Sequence, residues 1–451
     1  MLAVLHNRTF RHLFAAQVVA LIGTGLATVA LSLLAYDLAG ERAGFVLGTA
    51  LAIKMIAYVG VSPLAAAVAQ RLPRRGFLIA LDVVRGIMAL SLAFVDQVWQ
   101  IYMLIFLLQS ASASFTPAFQ ATIPDVLRDE AAYTRALSLS RLAYDLENLI
   151  SPVLAAALLS LISFHWLFGA TAIGFAVSAL LVLSVTLPAL RSDASGDRFF
   201  RRTTKGLRAY LATPRLRGLL ALNLAVAASG AMVIVNTVVY VRGVLGFPEA
   251  DVAIAFAAFG AGSMIAALSL PRLLDRVADR PVMMAGAASL VAGLVILSLV
   301  PISGQAGWFG LLVIWFVLGL GSSAILTPAG RLLRRSSHQE NRPALFAAQF
   351  ALSHACWLLT YPLAGWAGQA LGLATTAGVL AVLGLIGTAI ALTVWPRHDP
   401  EVVAHVHTNL PADHPHLRDA YPTGEGFRHA HYFVIDAYHD RWPGSPSSHA
   451  R

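Results

Sequence analysis

Histidines are concentrated at the end of this 451-residue chain, where nine of the fourteen fall between His398 and Arg451. Six of them form His-x-His pairs, which are His405/His407, His414/His416 and His429/His431. In an extended chain, residues i and i+2 share a side, so each pair can present two imidazoles to one ion. Imidazole is a common ligand of borderline divalent transition metals. The spacing predicts a metal site. A polar tail in which residues 428–443 fold into a small cap without metal is the alternative.

A second set of side chains that can do chemistry interrupts long apolar runs. They are Lys54, Gln109, Asp145, Glu147 and His354. An ionisable group at the centre of a membrane helix costs at least about 2.5–3.5 kcal/mol, so each should have a function. We predict that these residues bind the substrate and transfer protons, with Asp145 or Glu147 exchanging a proton for a cation. Because the two acids are two positions apart, they face different sides of a helix, and one of them lines the cavity.

Structural roles compete with these functional interpretations. A fixed ion pair, Lys54 with Glu147 or Arg141 with Asp145, would hold two helices together without taking part in transport. His354 either ligates a metal or hydrogen-bonds to a neighbouring helix.

The elements that position these residues are predicted to be apolar helices. Of all residues, 58% are hydrophobic and only 12% are charged, about half the charged share of a soluble domain. A helix of roughly 20 apolar residues crosses a bilayer, whereas an unpaired strand cannot. One cysteine, Cys356, allows no disulfide framework and is expected to be a small packing residue. Twelve apolar runs are predicted, at 13–37, 44–68, 76–96, 99–122, 136–161, 165–187, 216–240, 250–272, 281–301, 307–330, 344–368 and 372–395.

The basic residues indicate the orientation of these runs. Most lie in short loops on one side of the predicted bundle, which the positive-inside rule places in the cytoplasm. Both termini are therefore expected to be cytoplasmic. The same distribution accounts for the net charge of +9 without a nucleic-acid partner.

The second half of the chain repeats the first. The triplet Thr-Pro-Ala at 116–118 recurs at 327–329, which is 211 positions later, and Pro152 recurs as Pro362 after 210. We predict an all-α membrane protein with twelve transmembrane helices in two pseudo-symmetric six-helix halves, residues 1–187 and 216–396. A cytoplasmic linker, 188–215, joins the halves, and a histidine-containing cytoplasmic tail, 397–451, follows them.

These features resemble the major facilitator superfamily over residues 8–396. The family's loop after span two is matched in part by 66–75, where Gln70 replaces an acid, and the second-half copy lies at 275–280. In the family such residues clamp helix ends in one of the two states. With Gln70 in place of the acid, Asp82 or Asp275 is a candidate for this clamp, and a proline in span five is typical of antiporters. The resemblance implies a gating set of Arg71, Arg74, Arg75, Asp82, Arg85, Pro152, Asp275, Arg276 and Arg280.

The stretch 112–137 is similar to the branch that contains bacterial siderophore, drug and nickel exporters. This similarity implies a proton-coupled carrier in a bacterial inner membrane, with its substrate near the bilayer midplane. Nickel or cobalt export is the favoured prediction, and export of an amphiphilic drug or siderophore is the alternative. A membrane sensor that reads metal without transporting it is an alternative of another class. Since no Ser-His-Asp, HExxH or Walker lysine pattern occurs, we expect no enzyme, no ATP-driven pump and no cofactor, and we expect a monomer.

Overall fold

The computed structural model describes residues 2–69, 72–127, 129–187, 206–338 and 342–400. In the tail it describes 402–408, 410–411, 414–424, 426–436, 438–439 and 441–443. The predicted linker therefore lies outside the described residues except for 206–215, of which 206–212 is helical.

Twelve long α-helices form the body of the part of the chain that the structure describes. The first six are α1 (Arg8–Ala39), α2 (Ala43–Ala69), α3 (Arg74–Leu92), α4 (Val98–Val126), α5 (Glu130–Leu159) and α6 (His165–Leu183). The second six are α7 (Pro214–Val238), α8 (Glu249–Leu274), α9 (Asp279–Leu299), α10 (Gly304–Arg335), α11 (Arg342–Leu371) and α12 (Leu373–Val394). Short 3-10 turns occupy Leu2–His6 and Gly40–Arg42, and a π-helical turn, Val239–Val244, extends α7. Each long helix overlaps one predicted apolar run.

Nine stretches of the described chain are long and apolar enough to cross a membrane. One of them, Arg8–Val61, contains α1 and most of α2. Helix α3 falls below the same criterion because charged side chains interrupt it, among them Arg75, Asp82 and Arg85. These three residues belong to the predicted gating set. In α5 the described apolar stretch is Ile150–Leu159, which is shorter than a membrane span.

The second six helices pack in the same pattern as the first six. In the first set α1 packs on α5 and α6, α3 on α4 and α6, and α2 on α4. In the second set α7 packs on α11 and α12, α9 on α10 and α12, and α8 on α10. The two sets meet through α2 with α11 and through α5 with α8, which are equivalent pairs under the same repeat.

We call the end of the bundle where α10 and α12 finish the tail side, and the opposite end the far side. Successive helices alternate in direction, so α2 begins and α11 ends at the far side. Here the two sets of helices touch backbone to backbone. A Cβ built on Gly365 would lie 2.3 Å from the carbonyl oxygen of Gly44, and one on Gly48 would lie 2.6 Å from that of Tyr361. Small residues of this kind let membrane helices approach closely.

The substitution Gly365→Ala is therefore expected to destabilise the protein by about 1–3 kcal/mol, because an added methyl group has no room in a packed interface. Gly60→Ala in α2 is the matched control, since nothing lies within 4 Å of a Cβ built there. Thermal unfolding in detergent measures both variants. Equal shifts in melting temperature would contradict the close approach of α2 and α11.

Beyond α12 the tail forms a three-stranded antiparallel sheet in the order β1–β3–β2. The strands are β1 (Val402–His407), β2 (Tyr421–Thr423) and β3 (Gly426–Tyr432). The register sets His405 opposite His429. Gly426 begins β3 with φ of +139°, and a Cβ there would lie 2.3 Å from the carbonyl oxygen of His407, so this tight turn requires glycine. We call residues 402–443 the cap.

Candidate functional site

Three of the predicted transport residues come together between α2, α5 and α11. Lys54 and Glu147 interact electrostatically, and the charge of Lys54 also interacts with His354. His354 hydrogen-bonds through Nδ1 to the carbonyl oxygen of Phe350 at 2.7 Å, and its ring stacks on Tyr58 with centroids 5.7 Å apart. The group combines one cation, one anion and one imidazole at mid-helix positions of both halves of the bundle.

Glu147 also borders a cavity of about 290 Å³ between α1 and α5. Apart from this carboxylate the lining is apolar, formed by Phe14, Val18, Leu21, Ile22, Leu139, Ala143 and Ile150. Glu147 also packs against Gly25 of α1, since a Cβ built on Gly25 would be 3.5 Å from the Cγ of Glu147. The carboxylate thus connects the charged group to an apolar space.

The remaining predicted transport residues are placed differently. Gln109 is buried in α4 and, within the described chain, forms no hydrogen bond with Lys54, Glu147 or His354. Asp145 belongs to α5, but its side chain lies outside the described residues.

Pro152, a predicted gating residue, is buried in α5. Its neighbour Ser151 donates a hydrogen bond to the carbonyl oxygen of Ile22 in α1 at 3.4 Å. A Cβ built on Gly25 of α1 would lie 2.3 Å from Ser151 Cβ. The Ser-Pro element therefore sits at a close helix crossing.

At the tail side of the first six helices, charged residues join α3 to its neighbours. Arg74 forms a salt bridge with Asp125 of α4, and Arg75 donates a hydrogen bond to the carbonyl oxygen of Leu183 in α6. Arg71 lies outside the described residues.

Asp82 and Arg85 form a buried ion pair one turn apart in α3. Ser178 of α6 donates a hydrogen bond to Asp82 at 2.8 Å. The guanidinium of Arg85 lies between the rings of Phe115 and Phe175, 3.9 and 4.5 Å from their centroids. Cation–π contacts of this kind stabilise a guanidinium that is withdrawn from water. The pair is thus a fixed junction of α3, α4 and α6.

In the second six helices the buried acid is Asp279, which sequence reasoning did not select. Only 1% of Asp279 is exposed, and it accepts from Arg335 at 3.0 Å and lies 3.3 Å from Arg331. The predicted Asp275 and Arg276 are exposed. The predicted Arg280 donates hydrogen bonds to the carbonyl oxygens of Trp395 and Leu392 at the end of α12.

The two tail-side bridges are repeats of one another with their charges exchanged. Asp279 lies 205 positions after Arg74, and Arg335 lies 210 positions after Asp125. These offsets match those of the sequence repeats. In each half the bridge ties the start of the third helix to the end of the fourth, with the cation on α3 in one half and on α10 in the other.

In the tail, β1 and β3 bring two of the predicted histidine pairs together. His405 and His407 alternate along β1, and His429 and His431 alternate along β3, so all four imidazoles share one face of the sheet. The i, i+2 spacing thus sets both imidazoles of each pair on the same side of its strand.

Two further histidines complete a group of six. His416 comes from a 3-10 turn, Pro415–Leu417, and His439 comes from the loop after β3. One ligand nitrogen from each of the six lies within 4.8 Å of all the others. The Nε2–Nε2 distances between neighbours are 3.0–3.2 Å. The predicted ligand His414 is not in the group, and its Nδ1 accepts a hydrogen bond from the backbone N–H of His416.

Four imidazoles of the cluster have lowered pKa values, which favours their neutral form. Burial, followed by the charge of neighbouring histidines, lowers the pKa of His407 and of His429 to about 4. Burial also lowers the pKa of His405 and His416. It opposes ionisation of Asp436 as well, but hydrogen bonds from His439 and backbone N–H groups prevail and lower that pKa to about 2. Neutral imidazole is the form that binds metal.

The cap is attached to the tail side of the second six helices. Tyr432 donates its hydroxyl to the carbonyl oxygen of Arg335 at 2.7 Å, and Asp436 lies 3.4 Å from His338, just beyond α10. Arg215 of α7 is almost fully buried, 3.6 Å from Asp399 and with its guanidinium 4.8 Å from the ring centroid of Trp442. Apolar side chains 433–435 are buried beneath the sheet.

Comparison with known proteins gives consistent results. The family profile of the Major Facilitator Superfamily matches residues 13–309 and 220–420. An uncharacterized MFS-type transporter, YfiS of Bacillus subtilis (strain 168), is 24% identical over 135 residues, which are 30% of this chain and 32% of that protein. Two solved structures share the fold at 14% identity. A bacterial homolog of the human lysosomal transporter Spinster, inward-facing and unoccupied, has a TM-score of 0.67 over 86% of this chain and 96% of its own. The nucleoside transporter NupG has a TM-score of 0.64 over 85% and 100%.

Proposed function

Because this chain belongs to the major facilitator superfamily, we propose that it exports a divalent transition metal, nickel or cobalt, in exchange for protons. Membership makes it a multi-pass membrane transporter and not an enzyme. In the proposal all twelve helices cross the inner membrane of a bacterium, and the tail side with the cap faces the cytoplasm. The predicted halves, 1–187 and 216–396, would rock about a site near the midplane.

The observation that carries the metal proposal is the six-histidine cluster joined to the bundle. Its imidazoles are held by a folded sheet, and the sheet is bonded to the end of α10 through Tyr432. A transporter whose substrate has no affinity for imidazole has no evident use for such a cluster. A cytoplasmic site of this kind would meet the ion on the side from which export begins.

Lys54 and Glu147 support the proton-coupling part of the proposal. In the resting carrier Lys54 serves as the counter-charge of Glu147. A proton or a substrate cation that reaches Glu147 takes over this role, so the two compete for one carboxylate in the alternating-access cycle. His354, on α11, would contribute a nitrogen ligand from the other half of the bundle.

A specific observation favours a second candidate, the export of an amphiphilic organic cation. The cavity beside Glu147 is apolar except for that carboxylate, which suits a cation on a hydrophobic body better than a hydrated metal ion. In this case the cap would regulate the carrier and would not receive its substrate.

Transport in everted membrane vesicles with an imposed proton gradient, acid inside, tests the proposal. We expect nickel and cobalt to accumulate in vesicles that contain the full chain and to leak out when the gradient is dissipated. Vesicles without the protein are the negative control. In a parallel assay, vesicles that contain the full chain are offered a cationic dye in place of the metal. The full chain is preferred to a truncation after Pro396, because truncation removes Asp399, which contacts the buried Arg215.

Dye accumulation without metal accumulation would overturn metal export and establish the second candidate. Movement of neither, with metal still bound by the purified protein, would favour a sensor that does not transport.

A further inference from the structure

Hydrogen bonds fix the form of three imidazoles in the cluster. His405 donates from Nδ1 to the carbonyl oxygen of Val403, and His431 donates from Nδ1 to that of Tyr432. The Nδ1 of His439 donates to the ionised carboxylate of Asp436 at 2.9 Å. In each of these three rings Nδ1 is thus engaged, and Nε2 is the nitrogen left to bind a metal.

These Nε2 atoms converge on one point. Those of His405 and His439 are 3.0 Å apart, and within the described chain no hydrogen-bond partner reaches the buried Nε2 of His431. A cation between the nitrogens would hold them at such distances, whereas a buried polar atom without a partner is costly. The arrangement therefore indicates a cation at the centre of the group.

The six rings form an octahedron. Neighbouring rings have centroids 4.6–5.1 Å apart. Twelve of the fifteen possible ring pairs are neighbours in this sense. The other three pairs lie opposite each other, and each residue belongs to one of them: His405/His416, His407/His431 and His429/His439. Three mutually exclusive opposite pairs define the axes of an octahedron.

Distances between neighbouring nitrogens agree with this geometry. In an octahedron the metal–ligand distance is the edge divided by the square root of two, so edges of 3.0–3.2 Å give about 2.1–2.3 Å. In a tetrahedron the divisor is 1.63, and the same edges would give about 1.8–2.0 Å, shorter than the usual zinc–nitrogen distance of about 2.0–2.1 Å. The cluster is thus too tight for four-coordinate zinc and the right size for six bonds.

We propose that the cap holds one divalent first-row ion in six-coordinate, all-imidazole ligation, with Ni²⁺ preferred and Co²⁺ second. Magnesium and calcium require oxygen ligands, structural zinc is almost always tetrahedral, and Cu²⁺ favours a tetragonal arrangement. Among the ions that accept six equal nitrogen bonds, nickel stands above cobalt and iron in the general order of affinity. This inference names the metal of the proposed function, and its role in the cell rests on that function.

Metal binding to the purified, detergent-solubilised full chain tests the site without any transport step. After removal of metal with a chelator, the protein is offered nickel, cobalt, zinc or magnesium chloride singly and nickel with zinc in competition. We expect one Ni²⁺ per chain, retained against zinc, and X-ray absorption that shows six nitrogen neighbours at about 2.1–2.3 Å, the distance derived from the nitrogen edges. Four nitrogen neighbours, or a preference for zinc, would overturn the proposal.

The nickel affinity of single-residue variants is an independent test of the assigned ligands. Asp436→Asn is expected to weaken nickel binding by about 10–100-fold, as loss of an outer-shell partner usually does, and His407→Ala is expected to weaken it further. His414→Ala is the matched control, because this histidine lies beside the cluster and outside it. Equal losses in His414→Ala and His407→Ala would contradict the assigned ligands. Nickel that binds but is not transported would leave this site intact and overturn metal export instead.

Discussion

Glu147→Gln is expected to abolish gradient-driven transport and to lower the stability of the protein, because Lys54 interacts electrostatically with this carboxylate. The variant leaves the Lys54 ammonium inside the bundle without its counter-charge. Vesicle transport and thermal unfolding in detergent measure the two effects. Asp37→Asn, which removes an exposed carboxylate near the end of α1, should change neither.

The double variant Lys54→Met, Glu147→Gln separates the two roles of this pair. It removes both charges, so we expect most of the stability to return. If Glu147 exchanges protons and substrate, transport stays absent in this stable protein. Recovery of transport together with stability would show that the pair is only a fixed link between α2 and α5.

Asp279→Asn is expected to cost about 3 kcal/mol of stability, near the lower end for a broken buried pair. Two guanidinium groups, those of Arg331 and Arg335, lose their shared carboxylate. Arg335 also donates to the carbonyl oxygen of Asp399 and holds the cap through its own carbonyl. The change should therefore loosen the cap, and faster proteolytic removal of the tail, followed by gel electrophoresis, would report it.

Asp125→Asn breaks the equivalent bridge in the first half and is the matched comparison. The side chain of Asp125 is 42% exposed, so its loss should cost at most about 1 kcal/mol. Asp275→Asn should be silent, because Asp275 is exposed. Equal losses for Asp279 and Asp125 would mean that burial does not distinguish the two bridges.

Periodicity and composition predicted the helices well, because each long apolar run has one stable solution in lipid. The repeat in sequence also predicted which helices are equivalent. Hydropathy alone was weaker for α3, because Arg75, Asp82 and Arg85 interrupt its apolar sequence.

The buried acid of the second half shows what a linear pattern cannot reveal. Asp275 follows the end of α8 and Asp279 begins α9, and the family pattern favoured Asp275. The position of Arg335 at the end of α10 determines which acid is buried. That position depends on how α9 and α10 pack, which the sequence around the two acids does not show.

The arrangement of the cluster was predictable in part for a similar reason. Strand alternation placed the four histidines of β1 and β3 on one face, because spacing by two fixes the face of a strand. His416, which belongs to a predicted pair, and His439 reach the site through turns, where spacing does not determine direction. His439 lies three residues after Asp436, and a carboxylate that receives Nδ1–H is a common support for a metal-bound histidine.

The contacts of the cap described above lie on α7, on α10 and on His338 just beyond α10, so the cap is attached to the second six helices. A nickel or cobalt ion bound in the cap would be a paramagnetic centre fixed to that half. The distance from the ion to a spectroscopic probe on α1 through α6 would then change as the two halves move, so a single attached probe would be enough to follow the transport cycle.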